Sequence, residues 1–159
     1  MRKTELVLGA VVAVKGKEAL RLKVNGITKK KIQYINSKKQ PEYLRHSELV
    51  PVQLNDRMLE DLGFKRRSLK YGNNGSVVVN DFILYLFDKK DENIFYKITT
   101  QFDDELGINK YRAIHIDDNR SENVGFGYVK DVHELQALIL STTKMCLNTE
   151  KLFKDVEMD

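Results

Sequence analysis

The chain has 159 residues, 42% of them apolar and 31% charged, with one cysteine and a formal net charge of +4. That is the composition of a globular chain with room for one ordinary domain or two small ones. It excludes an internal disulfide, and since no run of roughly 18 apolar residues occurs, it gives no transmembrane helix; a reducing, cytoplasmic setting is expected.

The charge is unevenly spread. Residues 1–50 hold 12 Lys and Arg against 4 Asp and Glu, whereas residues 51–159 hold 15 against 19. Such a split predicts two units with different surfaces, the first attracted to polyanions. The opening MRKTELVLGAVVAV imitates a signal peptide, but Glu5 interrupts its charged region, Lys15 and Lys17 follow the apolar run, and no small-x-small cleavage pattern is present.

Leu8 to Val14 reads as a strand reversed at Lys15-Gly16-Lys17, and Glu18 to Val24 alternates apolar with charged residues at the period of a half-buried strand. Asn25-Gly26 carries the signature of a type I′ hairpin turn. Ile27 to Ile35 and Tyr43 to Val50 continue as strands, so residues 1–50 are expected to form a small basic β-barrel of the Src-homology-3 type. Pro51 changes the period. Asn55 caps a predicted helix over Asp56 to Leu62, ended by Gly63-Phe64.

Lys65 to Lys70 is a basic stretch leading to the turn Tyr71 to Gly75. Strands are predicted at Ser76–Val79, Phe82–Phe87, Ile94–Thr100, Tyr111–Ile116 and Val124–Val129, with Phe82–Phe87 central because it is apolar on both faces. Gly125 and Gly127 are expected on one bare face of their strand. Asp131 with Glu134 is a capping box, and a helix from Val132 buries the stripe Val132, Leu135, Leu138, Ile139, Thr142, Met145 and Cys146. The predicted architecture is therefore α+β. A barrel at 1–50 precedes an α+β unit at 51–148 with an antiparallel sheet and two helices, and an acidic tail at 149–159.

Chemical motifs are few. His133-Glu134 lacks the second histidine of a zinc helix, since Ala137 stands in its place, and His46 and His115 have no neighbour at ligand spacing. Asp117, Asn119, Ser121 and Asn123 alternate like a calcium loop, but Glu122 and Tyr128 occupy the positions that require glycine and glutamate. Gly125-Phe126-Gly127 has no third glycine, and no nucleophile elbow is present. No cofactor, metal site or catalytic residue is predicted.

Two surfaces remain. Lys15, Lys17, Arg21, Lys23, Lys29, Lys30 and Lys31, followed by Lys38 and Lys39, with Tyr34 and Tyr43 interleaved, match the basic-aromatic pattern of small barrels that bind nucleic acid. His133, Gln136, Leu140 and Lys144 lie opposite the helix stripe and form a candidate patch for a protein partner.

Leu8-Gly9, Lys15-Gly16-Lys17, Glu48 to Leu54, Leu62-Gly63-Phe64 and Tyr128-Val129 followed by Val132 to Gln136 together resemble a group of small, functionally unassigned proteins of Bacteroidetes phages, prophages and integrated mobile elements. The resemblance implies a small barrel joined to an α+β unit in a bacterial cytoplasm, and it transfers no catalytic residue.

Overall fold

The computed structural model describes residues 6–36, 38–75, 77–85, 94–103 and 105–153. Among them the chain is α+β and mostly sheet, and no helix is long and apolar enough to cross a membrane. In order, the elements are β1 (Val11–Val14), β2 (Lys17–Lys23), β3 (Gly26–Ile27), β4 (Lys31–Ile35), β5 (Pro41–Arg45) and β6 (Leu49–Pro51). There follow α1 (Asp56–Asp61), β7 (Lys65–Tyr71), β8 (Val77–Tyr85), β9 (Ile94–Asp103), β10 (Ile108–Asp117), β11 (Glu122–Val129) and α2 (Val132–Thr143). Single 3-10 turns occupy His46–Glu48 and Glu150–Phe153.

The chain divides into two compact units, and the division departs from the predicted one. Residues 1–54 join 131–159, while 55–130 stand as a separate unit. The helix assigned to the second half thus belongs to the first. An amphipathic stripe states that a helix must lie on something, but not on what.

The first unit holds two open, three-stranded antiparallel sheets, ordered β2-β1-β6 and β3-β4-β5, in place of the closed barrel expected at 1–50. The chain passes from one sheet to the other at Val24-Asn25. Val24 donates to the Ala10 carbonyl at 2.9 Å on the first side, and Asn25 to the Gln33 carbonyl at 2.8 Å on the second. Asn25-Gly26 is therefore no hairpin turn, and the reversal falls at Thr28 to Lys31. A Cβ at Gly26 would stand 2.9 Å from the oxygen at the mobile end of the Gln33 side chain and 3.2 Å from its Cβ, so a larger residue there would have to displace Gln33.

Between the sheets Ala10, Val12, Leu22, Val24, Ile32 and Leu49 form a continuous apolar core. Val12 points into it. The alternate residues of β1, Val11 and Ala13, point the other way and are buried as well. α2 packs against β1 and buries Val132, Leu135 and Ile139. The Asp131 and Glu134 capping box forms as predicted, but the helix ends at Thr143 with Lys144 in the left-handed region. Met145 and Cys146 consequently leave the stripe, and Cys146 is exposed where a packed thiol was expected. A last helical turn is expected at Thr149 to Phe153, where the acidic tail begins, and it forms as the 3-10 turn Glu150–Phe153 with Leu152 buried; residues 154–159 lie outside the described chain.

In the second unit the sheet is a meander ordered β11-β10-β9-β8-β7. The basic stretch at Lys65 is its edge strand β7, and Val77–Tyr85 is one strand where two were predicted. β8 is next to β7, so β9 takes the central place expected of Phe82–Phe87, whose last two residues are outside the described chain. One sheet face buries Phe82, Tyr96, Ile98, Tyr111 and Ala113. α1, capped by Asn55, lies on this face: Asp56 accepts from the Tyr111 hydroxyl at 2.8 Å and from Arg66 at 2.9 Å, while Arg66 also reaches Glu60 at 3.2 Å. A bulge separates the two glycines of β11: Gly127 pairs with Ala113 on the buried face and Gly125 with Ile114 on the other, contrary to the shared face expected of them. Gly127 adopts φ +80, which a bulge of this kind demands and a side chain resists.

Replacing Gln136 tests the join between α2 and β1. Its side-chain oxygen accepts from the Val11 amide and its nitrogen donates to the Gly9 carbonyl, each at 2.9 Å. Gln136→Leu leaves the buried Val11 amide unpaired, which costs roughly 1–3 kcal/mol. A urea-denaturation midpoint lowered accordingly is the expected result; an unchanged midpoint shows that the clamp contributes nothing.

Candidate functional site

The structure distributes the eight predicted nucleic-acid residues over three places. Lys15 and Lys17 flank the turn between β1 and β2. Lys29 and Lys30 lie in the turn before β4, and Lys31 opens that strand opposite Arg45. His46 holds this turn down, its Nε2 lying 3.2 Å from the Thr28 carbonyl oxygen. Arg21, Lys23 and Tyr34 come together in a half-open cleft of about 540 Å³.

The cleft lies beside β2, an edge strand of its sheet, and faces the ends of β4 and β5. Strand alternation places Ile32 in the core. Tyr34, two residues on, therefore shares that inner side and packs partly against it. Tyr34 pairs across the hairpin with Glu42. The Tyr34 hydroxyl donates to the Glu42 carboxylate in a short hydrogen bond, and Asn36 donates to the other carboxylate oxygen at 2.7 Å. Arg21 is fixed by donating to the Leu152 carbonyl at 2.8 Å, which brings Phe153 to the cleft wall.

The cleft thus sets three cations, Arg21, Lys23 and Lys38, against the single carboxylate Glu42, with Tyr34, Ile35 and Phe153 as apolar surface. Its volume falls in the range of small-ligand sites, and its chemistry suits an anion that carries a flat or apolar part. Burial, reinforced by the hydrogen bond to Glu42, raises the Tyr34 phenol to about 12. The hydrogen bonds from Tyr34 and then Asn36 lower the Glu42 carboxyl below its ordinary value. Both groups therefore hold their neutral-pH forms, a phenol donating to an ionised carboxylate.

Glu42 could be anticipated from hairpin register, because a turn spanning Asn36 to Gln40 puts it opposite Tyr34. Phe153 could not, since no local pattern ties it to β2. The predicted partner patch on α2 does not assemble. His133 is 2% exposed and Gln136 8%, the latter engaged by β1, so only Leu140, half-buried, and Lys144 retain access. His115 rests against the Tyr96 ring at 5.1 Å between centroids. Among the described residues no three metal-ligating side chains converge.

Compared with protein-family models, curated proteins and solved structures, the chain finds no match.

The Tyr34 and Glu42 pair yields a pH prediction with a definite sign. A phenol raised from 10 to about 12 favours the folded state fully below pH 10 and loses that contribution as pH climbs toward 12. Glu42, lowered from 4.5, contributes above that pH and loses its share as pH falls below it. A phenolate absorbance titration of the chain minus that of Tyr34→Phe should show one late-titrating group. Glu42→Gln should bring that group down without returning it to 10, because burial remains the larger cause. A difference curve centred at 10 would contradict the geometry.

Proposed function

We propose that this chain is a non-enzymatic, nucleic-acid-associated binding module whose main contact is the cleft of its first unit. The convergence of Arg21, Lys23 and Lys38 around the Tyr34 and Phe153 rings carries the reading. Cations neutralise phosphates without reading sequence, which is how the backbone of a duplex is held.

For residues 1–50 we infer an incompletely closed small barrel of the Src-homology-3 type, with the two open sheets as its wall. In support, the run from β2 into β3 serves both sheets, and a 3-10 turn leads into β6, which pairs with β1. The likeness to small proteins of Bacteroidetes phages and mobile elements fits a cytoplasmic role on a bacterial or element genome. The alternative, an adaptor or inhibitor acting through α2, loses its surface with the burial of His133 and Gln136.

Fluorescence anisotropy with labelled duplex DNA tests the proposal on the full chain. Affinity should fall steeply with salt, and Lys23→Gln and Lys38→Gln should each reduce the log-log slope by about 0.9, the increment that one neutralised phosphate contributes on a duplex. If the duplex shows no binding at low salt, the proposal fails.

A further inference from the structure

The second unit carries a surface that its net charge conceals. In a meander every other residue of each strand shares one face, and the ladder of the five-stranded sheet identifies the members. One row across it reads Lys65, Ile83, Lys97, Ile114, Gly125, and the next reads Arg67, Asp81, Thr99, Arg112, Tyr128. Beyond the first row Tyr85 pairs with Phe95 and Phe95 with Ile116; beyond the second, Gln101 pairs with Lys110. α1, the helix of this unit, lies on the opposite face, where Asp56 holds Tyr111 and Arg66.

Five cations, Lys65, Arg67, Lys97, Lys110 and Arg112, therefore share this face with two acidic positions, Asp81 and, at the end of β9, Asp103. Asp81 is buried and accepts from the Thr99 hydroxyl at 2.8 Å, so it is turned away from solvent. Rings stand among the cations. Lys65 Nζ lies 5.7 Å from the centre of the Tyr85 ring, and Lys110 Nζ lies 5.7 Å from that of Tyr128. Tyr85 in turn meets Phe95 at 5.8 Å, and Tyr128 is 50% exposed and held by its hydroxyl to Gln101. Gly125 leaves the end of the first row without a side chain, next to the Arg112 guanidinium.

We infer that this face binds single-stranded nucleic acid, with the phosphates on Lys65, Lys97 and Arg112 and the bases on Tyr85 and Tyr128. A duplex hides the flat surfaces of its bases, whereas an unpaired strand offers them to rings on an open sheet. Cations and rings stand in neighbouring rows, Lys65 beside Tyr85 and Lys110 beside Tyr128, so that phosphate and base can be met side by side, and an acidic protein would have no comparable use for the rings. The site is separate from the cleft of the first unit and shares with the proposed function only the class of ligand.

The test compares labelled oligothymidylate, oligouridylate and duplex DNA by anisotropy, using the full chain. Lys97→Gln with Arg112→Gln should lower the single-strand salt slope by about 0.7 per cation removed. Tyr128→Ala, which alters an exposed ring and spares the fold, should weaken single-strand binding roughly tenfold or more. On the unsubstituted chain, either oligonucleotide should protect Lys65 and Lys97 from acetylation. Preference for the thymidylate or the uridylate tells DNA from RNA, and either result supports the site. Loss of single-strand binding in Lys23→Gln and Lys38→Gln but not in the sheet variants overturns this inference and leaves the cleft standing; the reverse pattern does the opposite. Equal acetylation with and without oligonucleotide, or the same sensitivity toward the duplex, also overturns it.

Discussion

The fold of the first unit depends on one strand having no wet face. Val11 and Ala13 look one way, Ala10 and Val12 the other, and all are buried. A strand of this kind must be covered twice. The inter-sheet core covers one side and α2, drawn from more than a hundred positions away in the chain, covers the other. The side-chain amide of Gln136 is what makes the second contact specific, because it satisfies an amide and a carbonyl that β1 and its lead-in would otherwise leave buried and unpaired. The apolar stripe supplies attraction, and the amide supplies register.

The cleft exists because the two sheets do not close. β2 ends its sheet with an unpaired edge, and Leu20 and Leu22 beside it would face water without the opposing ends of β4 and β5. Nature often protects such an edge with charge. Here Arg21 and Lys23 do so, and the same two cations converge with Lys38. The side chains that guard the edge are in this way the ones that give the cleft its positive lining.

Local features were legible in the sequence, and their assembly was not. Both helix starts, the glycine stop at Gly63 and most strands could be read from caps and periodicity, since these depend on neighbours a few residues away. The placement of α2 was missed, although the unbroken apolar run before Lys15 carried a signal: a strand apolar on both faces asks for a cover that a small barrel at 1–50 does not supply. Asn25-Gly26 misled because both residues are taken up in pairing with Gln33 and so belong to a strand and its lead-in instead of a turn. Of the predicted site, Arg21, Lys23 and Tyr34 assembled, while the turn lysines did not join them. The basic sheet face escaped because summed charge over 51–159 averages two faces that strand alternation keeps apart.

The join between Gln53 and Asp131 gives the chain a particular biography. These two residues form an antiparallel bridge, and Val132 donates to the Val52 carbonyl at 2.9 Å, so the polypeptide leaves the first unit and re-enters it at adjoining points. On a ribosome the order of completion then runs against the order of synthesis. The meander, contiguous from 55 to 130, has all its partners as soon as it emerges, while the older amino-terminal strands wait for residues 131–159. Until then the nascent chain exposes the greasy back of its first strand, and truncation near the carboxyl terminus injures the part of the molecule made earliest.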